Sequence, residues 1–399
     1  MLKSQVLKIN SKYFLTIIGH LRDGGGLVRL VGGVVRDALL GISAKDVDMA
    51  TDLLPEEVMN VLQKAGIKTI PTGVKFGTVT AVIKDESFEI TTLRRDLSCN
   101  GRHADVAYSK DFAEDAARRD FTINALSYCP INHQIYDYFN GIEDLESRRV
   151  IFIGNAKERI AEDYLRILRF FRFSCRYARH IDQDGLSACI ELQYNLSQLS
   201  GERIKSEMDL LLLLNDNQST LQIMQDSNIL QQILPIQKYN SQMHTRFTQC
   251  AKSFDASLSL AVIYAMLFMH SNDISVKKLL NLKFSRAEAN LICAILNLKN
   301  IKGISLIITK LKNIWLDDSL YMQYFIFIAS ITDDNLSIRD LYNRLGKLPI
   351  PKLPIDGNDL MELGFKDVEI GKNMDILRAR WVESDFTLNK VELIKMVKQ

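Results

Sequence analysis

The chain has few of the residues that stabilise small folds through disulfides or metal sites. Among its 399 residues are 6 cysteines and 2 tryptophans, and no two cysteines form a C-x-x-C pair. Zinc sites and disulfide frameworks depend on closely or regularly spaced cysteines. The scattered cysteines therefore argue against both kinds of site, and they favour a reduced, cytoplasmic setting.

Long hydrophobic runs are also missing. The segment before Ser11 has no continuous apolar stretch of the kind found in secretory signals. The longest apolar run, residues 258–269, is too short to span a bilayer and predicts a buried helix. The sequence thus implies no association with a membrane, and it implies no protein partner.

The histidines and the net charge say little more about the function of the protein. None of the 6 histidines forms an H-x-x-x-H or His-Asp pair, so no appended metal-dependent phosphohydrolase is expected. The net charge of +2 is only a weak hint of a polyanionic partner. The length suggests two or three domains, and the composition, with 47% apolar and 25% charged residues, is typical of a globular protein.

Helical and strand-like patterns alternate over the first ~150 residues. We predict strands at residues 28–31, 46–49, 77–83 and 88–93, and helices at residues 34–40 and 55–65. Residues 97–113 have no clear period and are predicted to form a mobile loop. From Asn155 onward the pattern is helical, with one long helix at 157–177 and others at 201–214 and 258–269. These patterns predict an α/β head with a mixed sheet, followed by an all-α remainder.

Acidic residues follow a Gly-Gly pair at a predicted turn from strand to helix. Gly32 and Gly33 precede Asp46 and Asp48, and side chains two apart on a strand share one face. Paired hard oxygens bind Mg²⁺, and two such ions can activate a hydroxyl and stabilise a leaving pyrophosphate. Glu89, on a neighbouring strand, is the candidate third carboxylate. A lone D-x-D is usually a solvated strand face, but this combination favours a metal site beside a triphosphate.

Several segments, in this order, resemble the motifs of one family. Residues 30–48 resemble the first motif of the polymerase-β-like nucleotidyltransferases, specifically the class II group of bacterial tRNA CCA-adding enzymes and poly(A) polymerases. Residues 118–125 resemble its ribose-contacting motif, and residues 137–141 its hinge motif. Residues 162–166 resemble its base-selecting motif, and residues 202–207 its last helical motif. The resemblance is generic after about residue 210.

The resemblance implies a reaction and a set of site residues. A tRNA 3′-hydroxyl would attack the α-phosphate of CTP or ATP and release pyrophosphate. Two Mg²⁺ ions would be held by Asp46 and Asp48, and Glu89 would lie near the attacking hydroxyl. Residues expected to bind the nucleotide are Gly33, Arg36, Arg119, Asp120, Asn124, Asp163, Arg166, Arg169 and Arg172. The tRNA would be held by its 3′ end and its acceptor/T-arm helix.

The resemblance also suggests four domains. A catalytic nucleotidyltransferase head would occupy residues 1–153, and a helical neck that selects the nucleotide residues 154–215. A helical body at 216–345 would bind RNA, and a helical tail at 346–399 would bind tRNA. Pro349, Pro351 and Pro354 mark the joint before the tail.

Asp163 and Arg166 could select the base by hydrogen-bond matching. On one predicted helix they would share a face. A carboxylate only accepts and a guanidinium only donates, which suits the amine and ring nitrogen of cytosine or adenine. Uracil and guanine would instead place an acceptor against the Asp163 carboxylate and a donor against the Arg166 guanidinium. The alternative is an ordinary helix-stabilising pair of Glu162 with Arg166.

Basic residues suggest how RNA is handled. The neck arginines recur on one predicted face, which shows no acid beyond Asp163: Arg166, Arg169, Arg172, Arg176 and Arg179. This stripe would contact triphosphate and RNA phosphates, or else form a solvated face. A basic loop carrying Arg94, Arg95, Arg102 and Lys110 could reorder the site between additions, or be plain surface.

Rival functions share the head. A poly(A) polymerase would extend RNA with A only, and other members add only CC or only the last A. Residues 71–79 look like the CCA-adding members, and the full-length segment 94–118 argues against a CC-only enzyme. A catalytically silent RNA-binding protein is the alternative from another class.

Overall fold

The computed structural model describes residues 11, 13–43, 46–100, 103–253, 255–297, 323, 326–327, 353–366, 368–384 and 387–397. The chain divides into two compact units, Met1–Ile233 and Leu234–Gln399. In the described ranges, no helix has the length and apolar character needed to cross a membrane.

The head of the first unit is built on a mixed sheet. Its strands pair in the order β3-β4-β5-β2-β1-β8-β9, with β2 and β5 parallel and the other neighbours antiparallel. The strands are β1 (Val28–Val31), β2 (Asp48–Thr51), β3 (Lys68–Gly73), β4 (Thr78–Ile83), β5 (Glu86–Thr92), β8 (Ser127–Cys129) and β9 (Gln134–Tyr136). The head helices are α1 (Tyr13–Asp23), α2 (Gly33–Leu39), α3 (Pro55–Lys64), α4 (Phe112–Ala117) and α5 (Gly141–Glu146).

The two faces of the sheet differ because strand side chains alternate. One face is covered by α1 and α3 and carries fully buried apolar side chains, including Leu30, Met49, Ile90 and Val79. The opposite face carries Asp48, Glu89 and a set of threonines. We call this second face the open face, and it positions the site described below.

The predicted loop at residues 97–113 is wrong. Strands β6 (Arg94–Asn100) and β7 (His103–Tyr108) pair antiparallel in a separate two-stranded sheet, and α4 follows. The sequence of this segment shows no clear alternation of polar and apolar residues, which is the pattern that reveals a half-buried strand. Arg94 donates to the carbonyl of Phe76, whereas Arg95 and Lys110 are exposed. Arg102 lies outside the described residues.

The other predicted head elements are confirmed with ends shifted by a few residues. The strand predicted at 46–49 begins only at Asp48, so Asp46 precedes it. Helix α3 begins at Pro55 and ends at Lys64, where Gly66 follows with φ +74°. Proline at the start and glycine past the end are typical of helix ends.

The single helix predicted at 157–177 is wrong, because it is two helices. Here α6 (Ala156–Glu162) ends at Asp163, which has φ −155° and ψ 106°, and α7 (Leu165–Tyr177) then begins. The Asp163 carboxylate accepts the N–H of Leu165 at 3.1 Å. Aspartate competes in this way for backbone N–H groups that a continuous helix would use.

Aromatic side chains join α7 to the head. Phe121 of the head lies 5.4 Å, centroid to centroid, from Phe173 of α7, and Phe152 stacks on Phe170 at 5.3 Å. These rings are buried. After α7 come α8 (Gln183–Leu192), α9 (Gly201–Leu212), α10 (Gln218–Asp226) and α11 (Ile229–Ile233).

The second unit is helical where it is described. The predicted helix at 258–269 is α13 followed by a short 3₁₀ turn, Phe268–His270. Near the chain end, Ile355, Leu360, Leu377, Trp381 and Leu393 form a separate apolar cluster. Pro349 and Pro351 lie outside the described residues. The helices are α12 (Ser241–Ser253), α13 (Leu260–Leu267), α14 (Val276–Asn281), α15 (Arg286–Leu296), α16 (Gly357–Glu362), α17 (Val368–Glu383) and α18 (Lys390–Val397).

Candidate active site

Two carboxylates meet on the open face. Asp48 and Glu89 are direct partners in the parallel pair β2–β5, so their side chains point the same way. Burial, and next the charge of Glu89, raise the pKa of Asp48 to about 6, while Arg119 opposes the rise and Asp46 adds to it. This concentration of negative charge is what a divalent cation would neutralise.

The carboxylates form an open site, not a closed one. Across the described part of the chain, no three acidic, histidine or cysteine side chains converge on one point. Mg²⁺ commonly uses one or two carboxylates and takes its remaining ligands from water and substrate phosphates. Asp46 and Asp48 therefore fit a metal that is completed by a nucleoside triphosphate.

Gly32 allows an arginine to approach the end of β1. Its φ is +71°, and a Cβ there would lie 2.8 Å from Nη1 of Arg119. The Arg119 guanidinium also pairs with Asp115 at 3.0 Å. Gly33 opens α2, and a Cβ on it would meet only Arg36, at 3.5 Å. Sequence reasoning chose Gly33 as the site residue, whereas the positive φ requires glycine at Gly32; the contact alone does not, because the end of the Arg119 side chain can shift.

Arg36 is held inside the protein. Its Nε donates to Asp37 at 2.8 Å, and its Nη1 donates to the side chain of Asn124. Its guanidinium carbon lies 4.3 Å from the ring centroid of Tyr177, whose hydroxyl donates to Asp37 at 2.8 Å. Arg36 thus ties α2 to both the head and α7.

Asp120 lies at the centre of a buried polar network. Asn124 donates to one of its oxygens at 2.9 Å, and Nη2 of Arg169 lies 2.6 Å from the other. Although burial pushes the pKa of Asp120 upward, the Arg169 guanidinium and the Asn124 amide hold it below its ordinary value. Asp120 is therefore a charged group fixed in one orientation.

Helix α9 supplies the acid that completes this network. Glu207 is buried, and it pairs with Nε of Arg172 at 2.6 Å and with Arg169 at 3.6 Å. The network thus runs from α2 through the head to α7 and α9. It brings together Arg36, Asn124, Asp120, Arg169 and Arg172, all of which the sequence analysis proposed as nucleotide-binding residues.

Asp163 and Arg166 do not pair with each other. Asp163 pairs with Arg203 of α9 at 2.7 Å, and its other oxygen caps Leu165. Arg166 pairs with Glu162 and donates to the carbonyl of Arg118 at 3.1 Å. The two residues share no continuous helix, since Asp163 is extended. The Glu162–Arg166 pair that the sequence left as an alternative is present, although it crosses the break between helices.

The expectation that the stripe face lacks acids beyond Asp163 is wrong. Acids from other elements reach it: Asp120 pairs with Arg169, Glu207 with Arg172, and Asp37 lies 3.6 Å from Arg176. Arg179 follows the end of α7 and lines a separate cavity.

Sequence reasoning missed Gly32 and Arg203 as site residues. Gly32 was visible as half of the Gly-Gly pair, but only its φ and its distance from Arg119 distinguish it from Gly33. Arg203 lies 40 residues from Asp163 in the chain. No local spacing could have shown that the two side chains meet.

Comparison with known proteins places these features in a family. A sequence model described as "Poly A polymerase head domain" matches residues 28–151, and one described as "Probable RNA and SrmB- binding site of polymerase A" matches residues 180–240. The human mitochondrial CCA tRNA nucleotidyltransferase 1 is 35% identical over 93% of this chain and 86% of its own length. A CCA-adding enzyme of Lactococcus lactis is 32% identical over 96% of each chain.

A solved structure agrees. The CCA-adding enzyme of Bacillus stearothermophilus, crystallised with CTP, superposes with a TM-score of 0.70 at 26% identity, covering 96% of this chain and 97% of its own. The match extends over nearly the whole length of both chains, and the chain belongs to the CCA-adding tRNA nucleotidyltransferase family.

Proposed function

We propose that this protein adds C, C and A to the 3′ end of tRNA, using CTP and ATP and releasing pyrophosphate. The observation that carries the proposal is the register of Asp48 with Glu89 on the open face, close to Arg119, in a chain of this family. The helical remainder would hold the acceptor/T-arm helix of the tRNA by its shape and backbone.

The chemistry needs positioning and charge neutralisation more than acid–base catalysis. Two Mg²⁺ ions, held by Asp46 and Asp48, would lower the pKa of the attacking hydroxyl and offset charge on the phosphates. Glu89 would lie near the attacking 3′-hydroxyl and accept a hydrogen bond from it. Arg119, which is close enough to Asp48 to lower its pKa, would neutralise the departing pyrophosphate.

Asp120 and Asn124 would hold the nucleotide's sugar. They are fixed to each other, and Arg169 fixes Asp120, so little reorganisation is needed when the nucleotide binds. Arg36 donates a hydrogen bond that orients the Asn124 side chain, and Arg172 orients Glu207, which in turn pairs with Arg169. Gly33 would let the backbone at the start of α2 approach the triphosphate.

Asp163 and Arg166 would select the base from the start of α7. Asp163 would accept the amine of cytosine or adenine, and Arg166 would donate to the ring nitrogen. The ion pair with Arg203 fixes the carboxylate that the base meets. A wrong base would leave buried donors and acceptors unmatched, which is the basis of strong rejection.

Domain limits and location belong to the same proposal. A head at 1–153, a neck at 154–215, a body at 216–345 and a tail at 346–399 fit the change from sheet to helix after residue 153. A cytoplasmic location remains a prediction, because the relatives include a mitochondrial enzyme.

Primer extension tests the function. Purified protein and Mg²⁺ receive tRNA ending before CCA, or tRNA ending in CC, with CTP, ATP, both, or UTP and GTP. We expect the first tRNA to grow by three nucleotides and the second by one, after which growth stops, and no growth when the metal is chelated. Growth that stops after two nucleotides would indicate a CC-adding enzyme. Growth only on tRNA ending in CC would indicate an A-adding enzyme, and a long ladder with ATP alone would indicate a poly(A) polymerase. Folded protein that extends nothing would indicate a silent RNA-binding protein.

A further inference from the structure

Four threonines continue the open face beyond Glu89. Two hydroxyl pairs are formed, Thr72 with Thr80 at 2.7 Å and Thr78 with Thr91 at 3.0 Å. Thr72 is exposed, Thr78 and Thr91 are half-buried, and Thr80 lies deeper. We call these four residues the threonine strip.

The sheet register places the strip on the same face as the carboxylates. Thr80 is the direct partner of Glu89, which is itself the partner of Asp48. Three adjacent strands thus present a row in which Thr80 is about 10 Å from Asp48, or two strand spacings. Thr78 and Thr91 form the next row.

The side of the site on which the strip lies is the side of the attacking hydroxyl. Arg119 lies beside Gly32 at the end of β1, so the negative triphosphate and its leaving pyrophosphate belong on the β1 side of Asp48. In-line displacement puts the nucleophile opposite the leaving group. The primer therefore enters from β5, and its last nucleotides must lie over β4 and β3, where the threonine strip is.

We propose that the threonine strip binds the ribose 2′-hydroxyls of the primer's terminal nucleotides; this rests on the function proposed above. Each threonine hydroxyl has one donor and two acceptor lone pairs, so a pair of them keeps a donor and several acceptors for a ligand. A 2′-hydroxyl is likewise donor and acceptor, and it is the group that distinguishes RNA from DNA. Neutral contacts also suit a strand that must advance after every addition, because they hold it less tightly than ion pairs.

The test is the double variant Thr72→Val with Thr80→Val. Valine keeps the β-branched shape, and removing both partners leaves no orphan hydroxyl. We expect the KM for tRNA to rise about tenfold, as for two lost hydrogen bonds, with the KM for CTP unchanged. Thr69→Val is the matched control, because Thr69 lies on the same strand but contacts Gln63 on the helix-covered face. It should leave the KM for tRNA unchanged, and serine at positions 72 and 80 should restore it.

A modified primer gives a second test, and its first comparison uses only the wild-type protein. For the wild-type protein, 2′-deoxy nucleotides at the primer terminus should raise the KM for tRNA, whereas in the double valine variant they should add nothing. An unchanged KM for tRNA in the variant overturns the proposal. So does a 2′-deoxy primer that raises the KM for tRNA by the same factor in the variant as in the wild-type protein. CCA would still be added in both cases, so such a result would leave the proposed function standing.

Discussion

At the residue scale, Asp163 has two structural partners. One carboxylate oxygen starts α7 by accepting the Leu165 N–H, and the other pairs with Arg203. The side chain is therefore fixed in the absence of a nucleotide. A base-selecting group that is already oriented discriminates better than one that must be ordered during binding.

Removing the Arg203 side chain should relax base selection. We expect Arg203→Met to reduce the preference for CTP and ATP over UTP and GTP about tenfold, because a matched bidentate contact is worth about 1–3 kcal/mol. Ratios of kcat/KM for the four nucleotides measure it. Lys205→Met, which removes an ion pair with Asp209 on the same helix, is the control. Arg203→Lys should restore part of the preference; a preference unchanged in Arg203→Met contradicts the role.

Neutralising Asp48 should separate stability from catalysis. Asp48→Asn should lower kcat/KM by about 100-fold or more, as for loss of a transition-state contact. It should also raise the Tm of the metal-free protein at pH 8, because burial and Glu89 disfavour the ionised carboxylate. A variant whose Tm is no higher than that of wild type would show that the ionised Asp48 carboxylate does not destabilise the folded protein.

The same pKa shift sets a pH window for the metal-free protein. Since the folded-state pKa of Asp48 is about 6 and its ordinary pKa is 3.8, the folded state binds the proton more tightly. The contribution of Asp48 to stability is therefore greatest below about pH 4 and falls as the pH rises to about 6. Melting of wild type against Asp48→Asn across this range measures the difference, which should vanish at the acid end.

At the element scale, the turn at residues 137–141 is fixed to the head. Asp137 accepts the N–H groups of Gly141 at 2.8 Å and Ile142 at 3.0 Å. A Cβ on Gly141 would overlap the carbonyl of Thr122 in the 3₁₀ turn before β8. The segment that resembles a hinge is therefore held by the Asp137 carboxylate, which accepts backbone N–H groups at its far end, and by the close packing of Gly141 against Thr122.

Alanine at Gly141 should destabilise the head. We expect Gly141→Ala to reduce the free energy of unfolding by about 1–3 kcal/mol, the usual cost of overpacking. Gly19→Ala is the control, because no atom lies within 4 Å of a Cβ there and α1 should gain about 0.5–1 kcal/mol. Chemical denaturation measures both, and equal stabilities for the two variants would rule out the packing argument.

The sequence predicted elements better than it predicted their junctions. The strand at 28–31 and the helix from Pro55 follow from local hydrophobic period and end signals, and both are confirmed. The break at Asp163 depends on a side chain capping a backbone N–H, which a periodic pattern does not reveal. The placing of Glu89 beside Asp48 could be inferred from strand alternation, but not their exact register.

At the scale of the whole molecule, the charged side chains of the neck largely form ion pairs with other residues of the protein. With a net charge of +2, the protein has no large excess of cations, and Arg169 and Arg172 are paired with Asp120 and Glu207. The contacts with long sequence separation, not the local pattern, decide which arginines remain available to RNA.

The salt dependence of tRNA binding should therefore not change when Arg172 is replaced. Each phosphate contact contributes about 0.7–0.9 to the slope of log K against log salt. We expect Arg172→Gln to leave that slope unchanged while it lowers the Tm, since the buried Glu207 would lose its partner at 2.6 Å and keep only Arg169, at 3.6 Å. Titrations at several salt concentrations measure it, and a slope reduced by about one unit would instead assign Arg172 to a phosphate.

The pairing of α9 with the site has a consequence for protein synthesis. Both strands that carry Asp48 and Glu89 leave the ribosome early, whereas Arg203 and Glu207 emerge much later. A nascent chain can thus assemble Asp48 and Glu89 before Arg203 reaches Asp163 and before Glu207 reaches Arg169. With Asp163 selecting the base as proposed, the selecting carboxylate would gain its ion pair only after α9 has been translated.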